Sequence, residues 1–336
     1  MRRWIAFVLG LLGALPGLPA PALAACGGTD QLAALVAENP AARRTLERRA
    51  AAVPNGRGIF WRVERPGAAA SYLLGTFHDT EIAEEPLDPR VRAALGGARV
   101  MVVEISADEM ARMQQRMATD PGFAFDLTGP GIAARLAPED RAAADAALAR
   151  RGLSLALVDR MRPAFLFSIL AQPQCALDAM AAGKPVLDAV LMARAAAAGV
   201  PILGMETYAD ALDSIDSLAP ETLDRLLADA LLNLDRIEDF RRTSVALYRR
   251  GDTGMLQEFE IWTGEAELGE AASRRLYSSF SEALIEGRNR AWMKTLVPEL
   301  ERGGVFAAFG ALHLPGVAGV VELLRQRGFT VTRLDG

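Results

Sequence analysis

Short apolar runs alternate along this chain with long amphipathic stretches, and the runs are too brief to be helices. IFWRVE (Ile59 to Glu64) and SYLLGT (Ser71 to Thr76) flank a Pro66-Gly67 turn and read as a β-hairpin. RVMVVEIS carries a continuous apolar run that ends at Glu104, the signature of a buried strand in an α/β sheet. VPILGMET (Val200 to Thr207) follows a helix closed by Gly199 and is the next strand. At the end of the chain, VFAAFG, VAGVVELLRQRG and FTVTRL predict a strand, a helix and a strand of βαβ type.

The stretches between these runs have helical character. Residues 30–52 predict one or two helices broken or started at Pro40, and a further helix lies near Pro89 to Leu95. A long helical region, about 107–198, is punctuated at Pro121, Gly129-Pro130, Pro138, Pro163, Pro173 and Gly183-Lys184-Pro185. A second, about 208–302, spaces Leu223, Leu226, Leu227 and Ala230 by three and four residues. The pattern predicts the α/β class: one domain over 26–336, built on a mixed central sheet with flanking helices, a large helical insertion and a C-terminal βαβ unit.

The first residues change the picture. Arg2 and Arg3, an apolar stretch from Trp4 to about Leu15, and the small-residue site Ala22-Leu23-Ala24 follow the order of a secretory signal peptide over 1–25. Export, with a periplasmic destination, is the expectation. No later stretch approaches membrane-spanning length, so the mature chain is expected to lack a transmembrane helix. Only two cysteines follow, Cys26 and Cys175, which an oxidising compartment would allow to pair. Leu23-Ala24-Ala25-Cys26 also resembles a lipobox, which would make Cys26 a lipid anchor, although Pro19 and Pro21 separate it from the apolar run.

A formal net charge of -5 and the lack of a basic face argue against nucleic acid as a partner. There is no P-loop, Cys-x-x-Cys, His-Glu-x-x-His or Gly-x-Ser-x-Gly, so the common nucleotide, zinc-protease and serine-hydrolase templates find no support. What remains is a repeated local setting. The only two histidines, His78 and His313, each stand three residues after a glycine, Gly75 and Gly310, at the end of a predicted strand. Glu104 and Glu206 close two further strands.

Ligands of open α/β sheets bind at the carboxyl ends of strands. If these strands run parallel in one sheet, His78, Glu104, Glu206 and His313 share one rim. Two imidazoles and two carboxylates there can hold a divalent cation or divide the roles of acid and base. Each taken alone has a plainer reading, a satisfied structural histidine or a solvated strand-end glutamate. Arg288 and Asn289, in LIEGRNRAWM, could bind a substrate carbonyl or carboxylate, or could decorate an exposed helix.

LLGTFH and FGALHLPG, with VVE after the first and GMET between them, resemble the TraB/GumN family, which includes the Tiki proteases. The resemblance runs from about Ile59 to Leu334 and takes in the GRN segment. It implies a single α/β domain with a helical insertion and, for Tiki-type members, a metal-dependent peptidase using manganese or cobalt. On that basis His78, His313, Glu104 and Glu206 are the expected ligands and catalytic residues, and a peptide or protein is the expected substrate class. A metal-free esterase built on the same histidines and glutamates, and a non-catalytic haem-binding or partner-binding envelope protein, are the rival readings.

Overall fold

The computed structural model describes residues 26–335; the predicted signal peptide lies outside them. Six strands, β1 (Phe60–Glu64), β2 (Ser71–Thr76), β3 (Val100–Val103), β4 (Ile202–Gly204), β5 (Val305–Gly310) and β6 (Thr330–Arg333), form one sheet. Their order is β4-β3-β5-β2-β1-β6. The expected hairpin pairs β1 with β2, and β6 runs antiparallel to the outer side of β1. The other pairings, β2 with β5, β5 with β3 and β3 with β4, are all parallel. The sheet is therefore mixed, with four parallel strands whose carboxyl ends lie along one edge.

The terminal strand, helix and strand form the expected unit with one addition. The crossover from β5 to β6 passes over two intervening strands, β2 and β1, before β6 is placed. β4 is shorter than its apolar run. After Gly204 the chain bends, and the N–H of Met205 donates to the carbonyls of Val103 and Glu104 at 2.8 and 3.0 Å. Glu104 and Glu206 consequently lie just past their strands.

Alternation along β5 shows how the sheet divides the core. Val305, Ala307 and Phe309 face a cluster containing Trp292, Leu296, Val320 and Leu324. Phe306 and Ala308 face the opposite side, with Leu191, Ala195, Val245 and Tyr248. The helices Gly287–Arg302 and Val320–Arg325 cover one face, and Leu187–Ala197 and Ile237–Arg249 cover the other.

The predicted insertion is a set of short helices, broken where proline and glycine demanded it. Pro121 and Pro163 occupy the first turns of the helices they open, where a missing N–H costs nothing. Ile132, Leu148, Leu166 and Leu170 pack with Leu223, Leu227 and Leu231 of the second helical region as a separate apolar cluster. Among the described residues no single helix is long and apolar enough to cross a membrane. At the N-terminal end Cys26 meets Cys175 in disulfide geometry, with Cα atoms 5.3 Å apart. The next residues dock on the Ile237–Arg249 helix, where Gly27, Thr29 and Gln31 donate their N–H groups to Glu238, Asp239 and Thr243.

Candidate functional site

The parallel strands place the four expected side chains in spatial order along one rim: Glu206 after β4, Glu104 after β3, His313 after β5 and His78 after β2. The two Gly-x-x-His segments lie side by side, with Gly75 opposite Phe309 and Thr76 opposite Gly310. The glycines serve close approach. A Cβ on Gly75 would lie 2.9 Å from the Cα of Ala311 in the second segment, and one on Gly310 would lie 3.3 Å from Oε1 of Glu104. The bare backbone at Gly310 lets its N–H donate to Glu104 at 2.6 Å.

Each imidazole is held through Nδ1. His78 Nδ1 is 2.8 Å from a carboxylate oxygen of Asp188, whose other oxygen accepts from the Thr76 hydroxyl at 2.7 Å. His313 Nδ1 is 2.7 Å from Oδ1 of Asn289. The Asn289 amide nitrogen donates to the carbonyls of His313 and Ala318, so its oxygen faces the ring and His313 carries its proton on Nδ1. In both rings Nε2 is left for chemistry. His313 Nε2 lies 4.0 Å from Oε1 of Glu104.

Arg288 links the other end of the rim. Its guanidinium donates to Glu104 at 2.7 Å and to Glu206 at 2.5 Å, and the second oxygen of Glu206 accepts from the indole N–H of Trp292 at 2.8 Å. The Trp292 ring packs against His313, tilted by 36° with centroids 4.3 Å apart, and lies under Arg288. Neither Arg288 nor Asn289 belongs to an exposed helix face. A turn of π-helix, Glu282–Glu286, precedes the Gly287–Arg302 helix and shifts its register where Arg288 and Asn289 enter the site. Asn289 is completely buried and its amide is spent on the protein, so it positions His313.

These surroundings divide the two imidazoles. The charge of Asp188 is the largest influence on His78; it outweighs burial and raises the ring to about 9. The His78 side chain is 56% exposed, so water screens part of that pairing. Burial dominates at His313 and lowers it to about 3, against the pull of Glu104. At Glu104 burial acts upward, but His313, Arg288, His78 and the Gly310 N–H together bring the carboxyl down to about 2. His313 is neutral near pH 7, so Arg288 is the stronger of those charges there. His78 and His313 each feel Glu104, and His313 also feels His78, as a shared rim requires.

The donor set suits a divalent ion only in part. Two Nε2 atoms with their Nδ1 atoms tied to oxygen acceptors, beside a carboxylate, are the arrangement in which metal-bound histidines are oriented. Both carboxylates of the rim are already engaged, Glu206 by Arg288 and Trp292 and Glu104 by Arg288 and the Gly310 N–H. Among the described residues no three His, Cys, Asp or Glu side chains are drawn together into a ligand shell. A cleft of about 760 Å³ opens beside the Glu206 end of the rim, bordered by Glu206, Arg288 and Trp292 and by neither histidine.

Three members of this network escaped the sequence reading. Asp188 sits in the first turn of its helix, where an acidic residue is ordinarily read as complementing the helix dipole. Trp292 reads as core. Tyr248, whose hydroxyl donates to the Gly75 carbonyl at 2.9 Å and whose ring stacks on Phe77, belongs to an amphipathic helix far away in sequence.

Fold and rim together define an α/β protein with a His/Glu/Arg cluster at the carboxyl edge of a parallel sheet. The profile of the TraB/PrgY/gumN family matches residues 59–333, and the chain belongs to that family. No curated protein and no solved structure matches it.

Proposed function

We propose that this protein is an exported hydrolase of peptide bonds whose chemistry resides at the rim formed by His78, Glu104 and His313. The observation that carries the reading is the shared orientation of the two imidazoles. Each is fixed through Nδ1 by a buried or half-buried oxygen acceptor, each leaves Nε2 without a protein partner in hydrogen-bond range, and that of His313 lies 4.0 Å from Glu104. A purely structural histidine has no need of such an arrangement.

His78, His313 and Glu104, the glutamate beside His313, would hold a divalent ion, manganese or cobalt. When bound, such an ion supplies Lewis-acid polarisation of a carbonyl and a more acidic water. The protein's own groups do the rest. Asp188 and Asn289 fix ring orientation, and Arg288 binds both glutamates and helps keep Glu104 ionised. The neighbouring cleft gives an extended chain a place to lie, with Arg288 at its inner edge.

A metal-free route has two observations in its favour. Arg288 already supplies the positive charge between the two glutamates, and Asp188 orients His78 as in the base-and-orienter pairs of other hydrolases, so that His78, raised to about 9, would act as a base in the alkaline range. The meeting of Cys26 and Cys175 supports an oxidising compartment, and a Cys26 sulfur bonded to Cys175 is not free to carry a lipid thioether.

The test is turnover of a peptide library by the purified mature chain, with bound metals measured and a chelator added. Chelator-sensitive cleavage that is lost in both His78→Ala and His313→Ala, each still folded, supports the metal-dependent reading. Cleavage unaffected by the chelator moves the assignment to the metal-free route. Full turnover in both variants removes the rim from the chemistry.

A further inference from the structure

A second cavity, about 360 Å³, lies in the helical layer and shares no residue with the rim. Its walls come mainly from the helices Pro163–Leu170, Pro220–Leu232, Ile237–Arg249, Thr253–Leu268 and Glu270–Ser281. Phe167, Leu226, Phe240, Leu276 and Phe280 make it apolar and largely aromatic. Its volume falls within the range of small-molecule sites.

One side chain is out of keeping with that lining. Glu260 borders the cavity, and among the described residues no hydrogen bond or ion pair reaches its carboxyl group; only its backbone carbonyl is engaged, by Thr263. Two residues earlier on the same helix, Glu258 is held by Arg274 through bonds of 3.2 and 2.8 Å. The helix thus pairs one glutamate and leaves the other, half-buried, at the wall of an apolar chamber with no donor from the protein. Burial alone raises Glu260 to about 8. The other ionisable groups bordering the chamber are Asp229, Arg236 and Tyr277, and none of them bonds to it.

We infer that this cavity binds a small organic cation, an amine on an apolar or aromatic body, with the ammonium paired to Glu260 and the body packed among the phenylalanines. The requirement follows from the lining. A neutral apolar ligand would leave the carboxyl group without a partner, and an anionic one would oppose it once it is ionised. A protonated amine provides the missing donors, and the rings of Tyr277 and Phe280 attract the same charge.

The experiment is calorimetric titration of the full mature chain with 4-phenylbutylamine, 4-phenylbutanol and 4-phenylbutanoate. The amine is expected to bind at least about tenfold more tightly than the alcohol, with the acid weakest, and Glu260→Gln should abolish that preference. A measurement on the unaltered protein checks the same point should that variant fail to fold. Because the carboxyl must give up its proton to pair, amine affinity should rise by about tenfold per pH unit from pH 6 to 7 and level off above 8. Equal binding of amine and alcohol, tightest binding of the acid, no binding of any probe, or an affinity flat with pH would overturn the inference.

Discussion

Asn289 and His313 are both buried, and the side-chain oxygen of one lies 2.7 Å from Nδ1 of the other. This bond sets the tautomer of a ring that has no solvent to correct it. Asn289→Ala would free the ring and strip a donor from the carbonyls of His313 and Ala318. The expected cost is about 1–3 kcal/mol of stability by urea denaturation. Turnover should fall about 10- to 100-fold under conditions where the variant is folded. A variant that loses stability but keeps full turnover would reduce Asn289 to a packing residue.

Arg288 neutralises two glutamates, and its removal should show in stability before activity is considered. Arg288→Met leaves Glu104 and Glu206 half-buried or buried without their cation, a situation that costs about 3–5 kcal/mol. Adding Glu206→Gln should return part of that loss, because one stranded charge disappears. If the double variant is no more stable than the single one, the guanidinium bridge is not what holds the two carboxylates.

The two histidines predict opposite dependence on pH. His78 binds its proton more tightly when folded, at about 9 against 6.5, so its contribution is whole below pH 6.5 and is lost as pH climbs through 9. His313 is held at about 3 against 6.5, so the unfolded chain gains the proton first and stability falls as pH drops below 6.5. Glu104, at about 2 against 4.5, adds to that loss below pH 4.5. Melting temperature should therefore be highest near pH 6.5 as far as these groups decide it. The alkaline limb should be the shallower because His78 is 56% exposed. Asp188→Asn should flatten that limb; an unchanged slope would detach Asp188 from the behaviour of His78.

Cys26 and Cys175 are separated by 149 residues, so their bond would close a long loop. Cys175→Ser, or reduction, should cost about 2–5 kcal/mol in equilibrium denaturation. The altered protein should also expose the N-terminal helix to protease, since that helix docks beside the junction. Equal midpoints for oxidised and reduced protein would show that packing alone holds the segment.

Much of this architecture could be read from local pattern. Apolar runs bounded by Gly and Pro locate β2 and β5, and the paired glycines before His78 and His313 mark where the backbone comes close to its neighbour. What local pattern cannot carry is a partner supplied by a distant helix. Asp188 lies 110 residues from His78, and nothing about an aspartate in a first helical turn announces an imidazole. Arg288 and Asn289 were visible as candidates, but their contacts depend on the π-turn before them, which displaces the helical face that periodicity would assign. Glu206 illustrates the converse. Its place on the rim follows from its strand, whereas its engagement by Trp292 is a matter of tertiary packing.

β5 lies between β3 and β2, although it is the penultimate strand to be synthesised. Before residue 305 leaves the ribosome, the hairpin and the β3–β4 pair have no hydrogen bonds to one another, and neither half possesses a complete rim. A nascent chain stalled at that point would carry two unjoined half-sheets with raw edges. Closure of the fold is thus deferred to the last few dozen residues, and a C-terminal truncation would forfeit the whole rim at once.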